Sequence, residues 1–293
     1  MKNKLLVIGS GGLIGHQVLN FLKESKNYEI FDISKSRKIH KNTILLDARD
    51  EKNFFEKISE INPNYIINCM GILINRSEAD PENAIYVNSY IPQKLAKFSN
   101  ENNSKLIHIS TDCVFSGDKK NPYIETDEKD GRSIYSRTKS LGEVIDKKNL
   151  TLRTSVVGPE FNNDGEELFH WFMSQSNCIS GYTKAFWSGV TTLELAKAVS
   201  WSIDSNITGL YHVTNNHKIS KYELLKLFQK FTNKNIEIKP IEGIDIDRSF
   251  VDTRRLLNYK IPSYEKMISD MVNIIINNRS LYSQYKVESI DKK

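Results

Sequence analysis

Short apolar runs alternate with stretches of helical period through the first half of the chain. The runs at 4–9, 28–33, 43–48, 65–71, 105–111 and 151–158 are rich in Ile, Leu and Val and are bounded by Gly, Asn, Asp or Ser, the mark of strands buried on both faces. Between them, residues 13–25, 51–61, 82–102 and 133–148 set apolar side chains three and four apart, as amphipathic helices do. Alternation of this kind predicts a doubly wound parallel sheet with crossover helices. At "VVGPEFNNDGEE" the composition turns to Gly, Pro, Asn and acids, which marks a departure from the sheet. Beyond it, helical patterns at 165–176, 192–204, 220–232 and 263–278 are interrupted by short strand-like runs at 210–216 and 236–241. The expected organisation is a first unit over 1–158 and a smaller C-terminal α/β unit over 159–293, with part of 181–216 packing back on the first. The polar tail from Ser280 is expected to fray.

Composition narrows the classes. The chain has 293 residues and a hydrophobic fraction of 39%, enough for real cores. Its net charge of +5 is interspersed, with no Lys/Arg stripe interleaved with aromatics, so nucleic acid is not an expected partner. No apolar run reaches membrane-span length, and the opening run Leu5–Ile8 is too short for a signal-peptide core. Cys69, Cys113 and Cys178 are odd in number and far apart, and the six histidines lack ligand spacing. Neither a disulfide framework nor a metal site is expected, and a reducing cytoplasm fits.

The first candidate chemistry is "VIGSGGLIG". Gly9, Gly12 and Gly15 follow the first strand and open the first helix, so the main chain of Gly9, Gly12, Leu13, Ile14 and Gly15 can approach a pyrophosphate at the positive end of a helix. The context predicts dinucleotide binding. In "EIFDISKSRK" Asp32 suits an adenosine ribose, whereas Lys35 and Arg37 suit a 2′-phosphate. The two cations favour NADP(H) and the acid leaves NAD(H) open. Asp47 is placed to accept from the adenine amino group.

Four tyrosines have a lysine four residues on: Tyr90 with Lys94, Tyr135 with Lys139, Tyr222 with Lys226 and Tyr282 with Lys286. On a helix that spacing brings ammonium and phenol to one face, and a cation favours the phenolate. Only the pair in "SIYSRTK" follows a strand ending in hydroxyls, "HISTDCVFSG", with Ser110, Thr111 and Asp112 at the carboxyl edge. Open α/β sheets bind ligands at that edge.

Taken in order, "GSGGLIG", "NCMG", "ISTDCVFSG", "PYIETD", "YSRTKSLGE", "LRTSVVG" and "DRSFVDTRRL" make the chain resemble the extended short-chain dehydrogenase/reductases, and within them the dTDP-4-dehydrorhamnose reductase family over nearly the whole length. The resemblance implies a Rossmann-type fold with a smaller substrate-binding domain and NAD(P)H-dependent reduction of a nucleotide-linked 4-keto-6-deoxy sugar in surface-polysaccharide synthesis. Thr111 would polarise the ketone, Tyr135 would donate the proton, and Lys139 would hold the nicotinamide ribose while lowering the tyrosine pKa. Ala48, Cys69, Met70 and Gly71 would line the cofactor. Ser110, Asp112, Cys113, Val156, Trp187 and Arg248 would meet the sugar-nucleotide, with Arg248, Arg254 or Arg255 on its diphosphate.

Two positions depart from the family pattern: Cys113 stands where an aromatic is common, and Val156 where a tryptophan is common. Trp187 is a candidate replacement for the missing stacking surface. The Asp-Cys pair at 112–113 lacks the base that a dehydratase needs. A related epimerase and a non-catalytic cofactor-bound regulatory subunit remain as rivals, and a homodimer is left open.

Overall fold

The computed structural model describes residues 2–287 except 26, 120, 162–164 and 255–258. Seven strands pair in one parallel sheet: β1 (Asn3–Ile8), β2 (Tyr28–Ser34), β3 (Ile44–Leu45), β4 (Tyr65–Asn68), β5 (Lys105–Thr111), β6 (Leu150–Thr154) and β7 (Gly209–His212). Their order is β7-β6-β5-β4-β1-β2-β3. The chain winds one way from β1 through β2 to β3 and then returns to the other side of β1 at β4. The reversal opens a crevice at the carboxyl ends of β1 and β4, where such sheets take ligands.

Helices cover both faces, which is why the strands read as continuous apolar runs. On one face, Val18, Leu19 and Leu22 of α1 (Leu13–Glu24) join Leu195 and Val199 from the helix Thr192–Ser205. On the other, Phe54 and Ile58 of α2 (Glu51–Ile61) meet Ile91 and Leu95 of α3 (Ile91–Glu101). The first core runs on without a break into the C-terminal part, where Phe169, Phe172 and Phe228 pack together. Three small sheets build that part, pairing Cys178–Tyr182 with Glu237–Ile241, Ala185–Trp187 with both Ile219–Ser220 and Ile246–Asp247, and Val156–Val157 with Val190–Thr191.

Two helices differ from the sequence pattern. The one expected at 133–148 ends early, as α4 (Ile134–Gly142), because Glu143 turns extended and sends its carboxylate inward to Arg153. The one expected over 82–102 is interrupted by a π turn at Tyr86–Tyr90. Pro92 lacks the N–H that would bond the Asn88 carbonyl. The freed carbonyl faces α4, where a Cβ on Gly142 would stand only 1.9 Å from it.

The tail also departs from expectation. Tyr282 is 1% exposed, and Tyr285 and Val287 are buried with it. The Tyr282 hydroxyl accepts from Gln17 Nε2 and bonds His16 Nε2, each at 2.9 Å. The residues to Val287 therefore clamp the helix that follows the glycine loop. Among the described residues, no helix is long and apolar enough to cross a membrane and no group of His, Cys, Asp or Glu is arranged to hold a metal.

Candidate active site

The glycine loop is set by close approach. Gly9 has φ +82, and a Cβ there would stand 3.0 Å from Met70 N; a Cβ on Gly15 would lie 2.1 Å from the Gly9 carbonyl. Only glycine fits either place. Gly12 precedes α1 with no side-chain cap, and the first turn carries no acid. The helix therefore presents its amino end, with the main chain of Leu13 and Ile14, undischarged at the crevice. This cradle fits a dinucleotide pyrophosphate.

The β2 residues divide. Asp32 is 3% exposed and accepts from Ser10 Oγ at 2.8 Å, so it braces the glycine loop from inside. Lys35 and Arg37 lie beyond the strand end. Lys35 pairs with Asp47 at 3.1 Å, and Arg37 sits over the Phe161 ring at 5.0 Å. Asp47 is also held by Arg49 at 2.7 Å, and these cations keep its carboxyl well below the usual range. Oδ2 takes the Lys35 and Arg49 side chains, whereas Oδ1 accepts only from Arg49 N at 3.0 Å and keeps acceptor capacity. Ala48 is buried and its carbonyl accepts from Tyr86.

On the other side of the crevice, Cys69, Met70 and Gly71 follow β4. Asn88 holds this loop through both ends of its amide: Oδ1 accepts from Ile72 N at 2.8 Å and Nδ2 donates to Ile72 O at 3.0 Å. Nδ2 also reaches Thr138 Oγ1 at 3.2 Å, and Ser89 Oγ donates to Thr138 O at 2.7 Å. The π turn thus ties the cofactor-side loop to α4. Asn88 was not read from the sequence; its only signal is Pro92 four residues on, inside a helical pattern.

Of the four Tyr/Lys pairs, one lies at the sheet edge. Lys94 pairs with Glu51 beside the exposed Tyr90, Lys226 bonds Gln229, and Tyr282 is bonded to His16. Tyr135 and Lys139 sit on α4, 9% and 4% exposed, against the end of β5. Thr111 lies close enough to the Tyr135 phenol to act on its titration, and its Oγ1 donates to Asp112 Oδ1 at 3.2 Å. Its Oγ1 also accepts from Cys113 N at 3.1 Å, which fixes its direction.

Burial is the largest influence on the phenol and pushes its pKa above the ordinary value; the Cys113 and Asp112 groups act in the same sense and Thr111 against it. This corrects the expectation that Lys139 sets a lowered tyrosine pKa. The ammonium instead donates to the Ile109 carbonyl at 2.8 Å, and burial lowers its pKa to about 8. A phenol that keeps its proton suits donation.

Two further expectations are corrected. Ser110 points away from the cleft and donates to Glu143 Oε1 at 2.7 Å, since neighbours on a strand face opposite ways. Glu143 is gripped by Arg153 through two bonds of 2.7 Å, and Arg153 Nη1 donates to His212 Nε2 at 2.9 Å. The result is a buried network beneath the site. Trp187 is 3% exposed and packs on Tyr264, so it offers no open stacking face.

Asp112, Cys113 and Arg248 do meet. Arg248 Nη1 reaches Cys113 Sγ at 3.8 Å and Nε donates to Ser116 O at 3.3 Å. Burial pushes the Cys113 thiol up to about 12, so it cannot stand in for a dehydratase base. Val156 begins a two-residue strand at the same edge. Arg254 lies over Tyr211 beside Gly209, at the amino end of β7 and away from the cleft, while Arg255 is outside the described residues.

A dTDP-4-dehydrorhamnose reductase of Aggregatibacter actinomycetemcomitans is 31% identical over 166 residues, covering 55% of this chain and 54% of that protein; the chain thus spans about half the length of that relative. The spore coat polysaccharide biosynthesis protein SpsK of Bacillus subtilis (strain 168) is 27% identical over 225 residues, 75% of this chain and 76% of that one. Among solved structures, a dTDP-4-dehydrorhamnose reductase from Bacillus anthracis in complex with NADP superposes with a TM-score of 0.80 at 23% identity, covering 94% of this chain and 100% of that chain. A UDP-glucose 4-epimerase from Thermotoga maritima gives 0.77 at 20% identity, with 94% and 99% covered, so the fold alone does not separate the two chemistries. The family described as RmlD substrate binding domain matches residues 3–250, most of the chain, and the chain belongs to that family.

Proposed function

We propose that this protein is an NADPH-dependent reductase of a nucleotide-linked 4-keto-6-deoxy sugar, serving polysaccharide synthesis. The observation that carries the reading is the buried Tyr135 phenol beside Thr111, with Lys139 one helical turn on, at the edge that also holds the glycine cradle. The names of the relatives from Aggregatibacter and Bacillus supply the substrate class and the pathway.

A bound NADPH would supply hydride. The protein's part is to bind, orient and protonate. The amino end of α1 holds the pyrophosphate, with Lys35 and Arg37 within reach of a 2′-phosphate. Lys139 binds the ribose, and Thr111 and Tyr135 both donate to the keto oxygen. The Tyr135 proton passes to that oxygen as the alcohol forms. Asp112-Cys113 leaves no base for the elimination a dehydratase performs.

The test is NADPH or NADH absorbance followed against dTDP-, UDP- and GDP-linked 4-keto-6-deoxy sugars. Stoichiometric oxidation with one nucleotide series is expected, with NADPH binding falling more steeply with salt than NADH binding. Exchange of sugar epimers without net cofactor oxidation would replace this reading with epimerisation.

A further inference from the structure

Beside Cys113 the cleft holds two cations that no described residue neutralises by direct pairing. Lys221 opens the helix Lys221–Thr232, and a capping box fixes it there: Ser220 Oγ accepts from Glu223 N at 3.1 Å, while Glu223 Oε2 accepts from Ser220 N at 2.9 Å. Its stem is half-buried, with Nζ 5.5 Å from the centre of the Trp187 ring. Among the described residues it forms no ion pair and no hydrogen bond. Arg248, among the described residues, bonds only a carbonyl and a thiol.

The acids nearby do not answer them. Burial is the largest influence on the Lys221 ammonium and lowers its pKa; the charges of Asp112, Glu167 and Cys113 act against that and Arg248 with it. Glu167 Oε2 is taken by two main-chain donors, Phe169 N at 2.8 Å and Gly158 N at 3.2 Å, and burial holds this carboxyl up at about 8. One buried aspartate therefore faces two cations. A desolvated ammonium with no partner is costly and is kept where a ligand completes it.

The position says which part of the ligand. Asp112 and Cys113 directly follow Thr111, and both act on the Tyr135 phenol. The corner thus borders the reacting carbon rather than the base of the nucleotide. We infer that Lys221 and Arg248 receive an anionic oxygen of the sugar-nucleotide at the sugar end of the cleft, which makes Lys221 a specificity-determining residue. This rests on the sugar-nucleotide reading above. The anion has two sources, the diphosphate or an acidic substituent on the sugar.

The experiment measures KM for whichever keto sugar is reduced, and Ki for the matching nucleoside diphosphate, in the parent, Lys221→Met and Lys221→Arg. Lys221→Met should raise KM at least ~10-fold, while Lys221→Arg stays within about 3-fold and the NADPH Kd is unmoved in both. A Ki that rises with KM assigns the anion to the diphosphate; an unchanged Ki assigns it to the sugar. An unchanged KM in Lys221→Met, or an equal rise in both variants, overturns the inference. If the parent reduces no keto sugar, the proposed activity fails separately. Calorimetry with the dTDP- and UDP-linked keto sugars themselves then decides: weaker binding to Lys221→Met supports the site, and no difference from the parent overturns it.

Discussion

Lys139 Nζ donates to the main-chain carbonyl of Ile109 at 2.8 Å, two residues before Thr111 on the same strand. One ammonium therefore locks α4 to β5, and with it the distance between phenol and hydroxyl, before any ligand arrives. Preorganisation of this kind spares the reaction the cost of assembling its donors.

The lysine carries a pH signature. Its pKa is lowered by burial to about 8, so the charge it would offer the ribose of a bound NADPH is lost as pH rises through that value. NADPH affinity should weaken between about pH 7 and pH 9, and Lys139→Met should bind more weakly at pH 7 and lack this dependence. Stability moves the other way, because the unfolded lysine titrates near 10.5. Between the two values the unfolded chain holds a proton the fold has released, so the parent gains stability with pH and Lys139→Met does not. Fluorescence titration and urea unfolding across the range check both.

The glycine cradle makes a contrast of neighbours. A Cβ at Gly15 meets the Gly9 carbonyl at 2.1 Å, whereas one at Gly12 reaches the same atom at 3.4 Å. Gly15→Ala should lose about 2 kcal/mol of stability or more and most NADPH affinity. Gly12→Ala should unfold within about 0.5 kcal/mol of the parent. Chemical unfolding of the two variants tests this ordering, and equal midpoints would contradict it.

Acid should unfold the protein through two histidines. His16 donates from Nδ1 to the Gly12 carbonyl at 2.9 Å and accepts at Nε2 from Tyr282, while His212 accepts from Arg153. Burial lowers both to about 4 from 6.5. A depressed base contributes stability that is complete above 6.5 and lost as pH falls toward 4, since the unfolded state takes the protons first. Protonation of His16 should cost about 2 kcal/mol near pH 5, and His212 acts in the same direction. His16→Gln should remove one proton from the slope of unfolding free energy against pH.

Much of this was legible because periodicity and close approach leave marks in a sequence. The glycines at 9, 12 and 15 and the hydroxyls ending β5 sit where their spacing put them. What failed has local causes. Ser110 adjoins Thr111 in the sequence, but strand alternation turns it away from the cleft to Glu143. The tail looked polar because Tyr282, Tyr285 and Val287 are isolated in a hydrophilic stretch, yet each is buried. Asn88 and Lys221 were invisible for another reason: a π turn has no apolar period, and a lysine after a capping box reads as an ordinary solvated helix start.

The central claim is that Tyr135 supplies the proton, and Tyr135→Phe tests it most directly. The variant removes one oxygen from a buried ring and leaves Lys139 and Ile109 joined. Its NADPH Kd should stay within about 3-fold of the parent while kcat for keto-sugar reduction falls by roughly 10²–10⁴. Tyr90→Phe, which alters an exposed ring next to another lysine, should turn over like the parent. A Tyr135→Phe enzyme that reduces substrate at the parent rate would contradict the account.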